Sequence, residues 1–218
     1  MKKILRSLPA ALLAALLLLD TTGCKSVYYA AYEKLGVDKR DLLKKRVIAA
    51  RDDQQTAQKA FKDALTRLKE INGFQGGEAE RAYRQLKSEY DDCASQAETV
   101  HRRIRAVESV AGDLFAEWDK ENGEIKTASL RDASRRQLVE TRQRYDELHA
   151  ALVAAEDSMA PVLSEFNDYV LYLKHNLDAQ AIASLQGESA SIQTEIGRLI
   201  EQMNESIARA DSFVKQMQ

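Results

Sequence analysis

Between Tyr83 and Trp118 the chain repeats an uncharged residue at alternating steps of three and four: Tyr83, Leu86, Tyr90, Cys93, Ala97, Val100, Ile104, Val107, Ala111, Leu114 and Trp118. That spacing is the seam of a long helix packed along other helices. No proline interrupts it, Gly112 is its one weak helix former, and the positions between are mostly Arg, Glu, Asp, Gln, Lys and Ser. The other faces of this helix are therefore wet, and the apolar stripe has to be covered by the rest of the chain.

Three further segments carry the same period. After Asp38, a plausible N-cap with Asp41 in the first turn, comes the seam Leu43, Val47, Ala50, Gln54, Ala57, Phe61, Ala64, Leu68 and Ile71. Gln54 is its one polar member, and a polar side chain on a seam sets register at some expense of stability. Asn72-Gly73 supplies the left-handed stop. The third seam starts after Thr127 with Leu138, Thr141, Tyr145, Leu148, Leu152, Ala155, Met159, Val162, Phe166, Tyr169 and Leu173. Pro161 lies within it, and the proline ring predicts a bend between Asp157 and Pro161 without a break in phase. The fourth follows Asp178: Ile182, Leu185, Ser189, Ile192, Ile196, Leu199, Met203, Ser206, Ala210, Phe213 and Met217. Its polar entries and Gly187 and Gly197 make it the helix expected to fray first.

Short links between long helices force antiparallel neighbours. The expected fold is all-α: an elongated antiparallel bundle or coiled coil of about four long helices, forming one domain over residues 38–218. Only 11 of 218 residues are Gly or Pro and 30% are charged, a balance suited to helical rods and not to sheets.

The N-terminus gives an address. Met1 to Arg6 is basic, and Leu8 to Leu19 is an apolar run of twelve residues. As a helix that run spans about 18 Å, short of the roughly 30 Å of a bilayer core, so residues 1–23 read as a signal peptide. Gly23-Cys24 closes the segment in the manner of a bacterial lipobox, with Thr21 and Asp20 as departures. Cys24 is the expected lipidation site, and acyl chains there give stable membrane attachment. Lys25 in place of Asp favours the outer membrane by resemblance to enterobacterial sorting. Residues 24–37 are expected to form the tether, with Tyr28, Tyr32 and Leu35 on one face of a short amphipathic helix that either lies at the headgroups or folds back on the end of the bundle.

Candidate sites are few. Pairing across Gly123 places residue 102 near residue 144, which would gather Arg102, Arg103, Arg105, Arg142 and Arg144 into an anion or partner patch, with Arg131, Arg135 and Arg136 nearer the turn. Interleaved Glu98, Glu108, Glu140 and Glu147 would instead make it a solvated, salt-bridged face. Phe74, in the Gly-rich turn 72–77, is a candidate tip contact or a plug for the bundle end. That turn lacks the Lys-Ser/Thr pair of a phosphate-binding loop. Cys93 sits on a seam with no His within a turn, which suits inert packing. With three His and two Cys residues, no metal or cofactor is expected. Lys2, Lys3, Arg6 and Asp20 leave the first 23 residues at +2, so the remainder of the −2 chain stands at −4 and offers no general attraction to nucleic acid.

Tyr28-Tyr29, Glu33-Lys34-Leu35-Gly36-Val37, Phe74-Gln75-Gly76-Gly77, Leu114-Phe115-Ala116-Glu117-Trp118 and the segment Lys174 to Leu185 together resemble the bacterial lipoproteins grouped as domain of unknown function 2959. The likeness runs from Cys24 to about Glu188 and implies an all-helical envelope protein without an assigned activity. The expected function is a non-enzymatic, lipid-anchored periplasmic scaffold or adaptor, bound to the membrane through its anchor and to an envelope protein or the cell wall through its helix faces. A membrane-surface or lipid-binding bundle is the alternative, and a cell-wall enzyme a distant third. A seam left incompletely covered would favour a homodimer.

Overall fold

The structure, a computed structural model, describes Tyr29, residues 38–70 and residues 78–217. Helices α1 (Lys39–Glu70), α2 (Ala79–Glu124), α3 (Ala128–Asp157), α4 (Met159–His175) and α5 (Ala179–Gln216) make four columns, because α3 and α4 are one helix bent at Ser158. The columns run up and down in sequence order and close into a ring: α1 packs on α2 and α5, and the α3–α4 column packs on α2 and α5 from the opposite side. Cross-column pairs give the antiparallel register. Arg67 meets Glu89 and Lys39 meets Glu117 between α1 and α2. His149 meets Glu108 and Tyr90 meets Phe166 across α2 and the third column, and Arg51 reaches Asp211 between α1 and α5.

The four seams become the core. Leu43, Val47, Ala50, Ala57, Phe61, Ala64 and Leu68 are closed off from solvent on α1, as are Ile192, Ile196, Leu199, Met203, Ala210 and Phe213 on α5. Each fully buried Leu, Ile or Phe contributes about 1.5–3 kcal/mol relative to an exposed one. On α2 the small and medium seam residues Leu86, Cys93, Val100, Ile104, Val107 and Ala111 are buried, whereas Tyr83, Tyr90 and Trp118 pack with one edge exposed.

Element ends follow the local chemistry. The Asp178 carboxylate accepts a hydrogen bond from the Ala181 N–H at 2.8 Å, capping α5, which then runs without interruption through Gly187 and Gly197. The expected fraying is not seen, because every apolar member of that stripe is buried against α1 or the third column. At the bend, Ser158 donates its hydroxyl to the Ala154 carbonyl at 2.9 Å, and one non-helical residue separates α3 from α4. Leu152, Ala155, Met159, Val162 and Phe166 remain buried through it, so the proline tilts the helix and leaves its inward face in phase.

The two bundle ends differ. Near the α2–α3 link, α1 begins at Lys39, level with Glu117, and the last turn of α5 brings Phe213 onto Tyr145. The end of α2 and the first turns of α3 therefore extend past both neighbours. Leu130 and Val139 on this projecting stretch are 62% and 65% exposed.

Candidate functional site

The uneven helix ends build a concave feature at the α2–α3 end. Where α1 and α5 end and α2 and α3 continue, a cavity of about 410 Å³ lies among the described residues. Leu114, Trp118, Phe213 and Met217 form its apolar part, with Lys39, Arg40, Arg144, Glu117 and Glu121 among its polar lining. Trp118 is fixed by its indole N–H, which donates to the Ser134 hydroxyl at 2.9 Å across the α2–α3 pair. Volumes of this order are those of small-molecule sites.

Tyr29 is pinned beside this end. Its hydroxyl donates to the Asp113 carboxylate at 2.6 Å, and the Lys39 ammonium lies 4.8 Å from its ring centre while pairing with Glu117. The tyrosine is only 8% exposed, so it is a docked residue of the bundle. The sequence had grouped Tyr28, Tyr32 and Leu35 on the tether face; those residues and the lipidation site Cys24 lie outside the described residues, as does Phe74.

The five arginines of the anticipated anion patch do not converge. Pairing across α2 and the third column brings His101 to Glu156 and His149 to Glu108, so Arg102 lies far from Arg144 along the rod. These contacts are centred between residues 128 and 129 and not at Gly123, so the register differs from the expected one by about eleven residues. Arg103 turns toward α1 and pairs with Asp53. Arg102 pairs with Glu98, Arg105 lies 3.8 Å from Glu108, and Arg144 lies 3.4 Å from Glu140. Of the five, Arg142 alone has no carboxylate within ion-pair distance among the described residues. Its guanidinium carbon sits 5.2 Å from the centre of the Phe115 ring.

Polar groups inside the bundle are positioned for packing. Gln54 on α1 accepts a hydrogen bond from the Ser206 hydroxyl on α5, joining the two polar seam entries in one buried layer, while the Gln54 Nε2 has no partner. Nearby, Gln58 donates to Asn204 at 2.7 Å. Cys93 is fully buried; desolvation, and secondarily Glu89, Asp92 and Asp63, push its thiol up to about 12. It is protonated at neutral pH and so a poor nucleophile and metal ligand. Tyr145, stacked on His149 and touching Phe115 and Phe213, is likewise pushed up to about 12, mainly by burial. Among the described residues, no group of three or more His, Cys, Asp and Glu side chains could hold a metal ion.

Two features escaped sequence reasoning. The Tyr29–Asp113 contact joins residues with no shared period, so no pattern announces it. The end cavity follows from relative helix lengths: the third seam's first apolar member is Leu138, ten residues after α3 begins, which signals that the earlier turns lack a partner.

Among the described residues, fold and geometry together define an antiparallel four-column helical bundle with a bent third column and a cavity at the α2–α3 end. A model of the family of proteins of unknown function DUF2959 matches residues 28–217 of this chain, and the chain belongs to that family. No curated protein matches it. No described helix is long and apolar enough to cross a membrane.

Proposed function

We propose that this chain is a non-enzymatic scaffold or adaptor of the cell envelope, exported by residues 1–23, acylated at Cys24 and held by that anchor at the periplasmic face of the outer membrane. The observation that carries this reading is the use of all four seams within one closed rod. What is left to a partner is a long surface of charged side chains, many of them already paired along their own helix, such as Arg84 with Glu80 and Lys87 with Asp91. Such a surface suits an extended protein or wall contact better than a reacting small molecule. The docked Tyr29 adds support, since it places the start of the described chain five residues beyond Cys24 and against one defined end of the bundle.

Labelled-palmitate incorporation in the wild-type chain and in Cys24→Ser, followed by membrane fractionation, tests the anchor. Cys24-dependent label in the outer-membrane fraction is expected; an unlabelled, soluble periplasmic protein would remove the tether. Crosslinking in intact envelopes, followed by capture of the acylated protein, tests the scaffold. Recovery of one stoichiometric envelope protein or of peptidoglycan fragments is expected, and recovery of neither would count against it.

A further inference from the structure

The start of α3 is a basic stretch of the described chain. From residue 125 to 144 it carries Lys126, Arg131, Arg135, Arg136, Arg142 and Arg144 against Asp132 and Glu140, a net +4 on a chain whose total is −2. Arg135 and Arg142 stand seven residues apart and so share one helix face. They line a groove of about 500 Å³ between α2 and α3, with Leu138, Val139, Gln143, Asp119 and Asp146. Neither arginine makes an ion pair among the described residues, although the two aspartates are in the same groove. Arg142 is held instead by the Phe115 ring, and Val139 presents an exposed apolar side chain beside it.

The groove's place on the rod matters as much as its lining. Arg142 lies against Phe115, two residues along α2 from Asp113, which holds Tyr29. Five extended residues span at most about 17 Å, so an anchor at Cys24 would act within that reach of Tyr29. The far end of α2, at Ala79, is about 50 Å away along the axis. A chain anchored through Cys24 thus brings the Arg135–Arg142 groove to the bilayer surface and holds the opposite end away from the anchor.

We propose that this groove seats the phosphate of an anionic phospholipid headgroup, with Arg135 and Arg142 donating to its oxygens and Val139 against the first methylenes of the acyl chain. It rests on the reading that Cys24 holds the protein at a membrane, and it adds a second contact that fixes how the rod stands there. Two guanidinium groups suit a phosphate because each offers paired N–H donors in one plane. An anionic surface also attracts each nearby Lys or Arg. The five arginines anticipated from sequence fail as a site because four of them lie within ion-pair distance of a carboxylate, whereas Arg135 and Arg142 make no ion pair among the described residues even with Asp119 and Asp146 in the groove.

The test separates the groove from the anchor by using the full chain carrying Cys24→Ser. Its co-sedimentation is measured with phosphatidylcholine vesicles and with vesicles of equal parts phosphatidylcholine and phosphatidylglycerol, so that any contribution of the apolar leader appears in both. Expected is binding to the anionic vesicles at least about tenfold tighter, lost when Arg135→Glu and Arg142→Glu are combined. The control Arg102→Glu, which reverses a guanidinium paired with Glu98 near the middle of α2, should leave binding unchanged. Equal partition onto both vesicles, an unaffected double variant, or an equal loss in the control would each overturn the site. Displacement by millimolar inorganic phosphate at constant ionic strength would identify a free-phosphate site and overturn the lipid assignment. Circular dichroism of each variant checks the fold, and both arginines are exposed, so the helical signal should not change. Failure of palmitate labelling would refute the anchor without touching this result.

Discussion

Buried protic side chains set the limits of this protein at the level of single residues. Cys93, Tyr145 and Tyr169 are each pushed up to about 12 from ordinary values of 9.0, 10.0 and 10.0, with burial the first cause in every case. Raised folded-state values mean that their contribution to stability is complete below the unfolded values and disappears as pH rises through the folded ones. Urea midpoints should therefore be level near pH 8 and fall between about pH 9 and 12, less steeply in Tyr145→Phe. A thiol reagent at pH 8 should modify Cys93 only as fast as the protein unfolds. The Gln54–Ser206 layer gives a second prediction. Ser206→Ala leaves the Gln54 oxygen as well as its Nε2 without a partner, an expected loss of about 1–3 kcal/mol. Gln54→Leu combined with Ser206→Ala removes both polar groups and should recover most of that loss in chemical denaturation. A double variant no more stable than Ser206→Ala would mean that the layer acts through shape and not through its hydrogen bond.

Caps and bends act on whole helices. The Asp178 carboxylate satisfies one of the orphan N–H groups at the start of α5, so Asp178→Ala should lower stability by about 1 kcal/mol. Amide exchange should speed up around Ala181, while protection near Met203 in the middle of the helix should follow only the global change. At the α3–α4 bend the proline costs one backbone hydrogen bond, and the Ser158 hydroxyl occupies the Ala154 carbonyl nearby. Ser158 and Pro161 were legible as a bend in the sequence, and the continued apolar phase from Leu152 to Phe166 was legible with them. The bend itself brings α4 onto the upper part of α2, where Tyr90 meets the Phe166 ring edge-on at 5.9 Å.

The molecule as a whole is a rod. The 46 residues of α2 set its length at about 69 Å, and small-angle scattering of an unacylated form should give a maximum dimension near that value. A dimension approaching twice as large would report end-to-end association through the open cavity, whereas an unchanged length with doubled mass would report pairing side by side. The two ends are chemically unlike. One carries Tyr29, the cavity at Trp118 and the Arg135–Arg142 groove; the other carries the exposed Leu171, Tyr172 and Leu177 around the α4–α5 link. An anchor at the first end leaves the second free for a partner.

The sequence by itself determined the number of columns, their lengths, their inward faces and the bend, because each depends on a periodicity or a cap confined to a single helix. Seam after seam, from Leu43 to Leu68 and from Ile182 to Met217, the expected positions are the buried ones. The tertiary structure decided what depends on the offset between helices. A register about eleven residues from the expected one separated Arg102 from Arg144, while Arg103 turned toward Asp53 and Arg135 and Arg142 were left without an ion pair among the described residues. Helical periodicity fixes which way a side chain faces but not how far one helix slides along another; that is set by the side chains which interlock across the interface. The docking of Tyr29 on Asp113 belongs to the same class, a contact between distant residues that only packing could bring about.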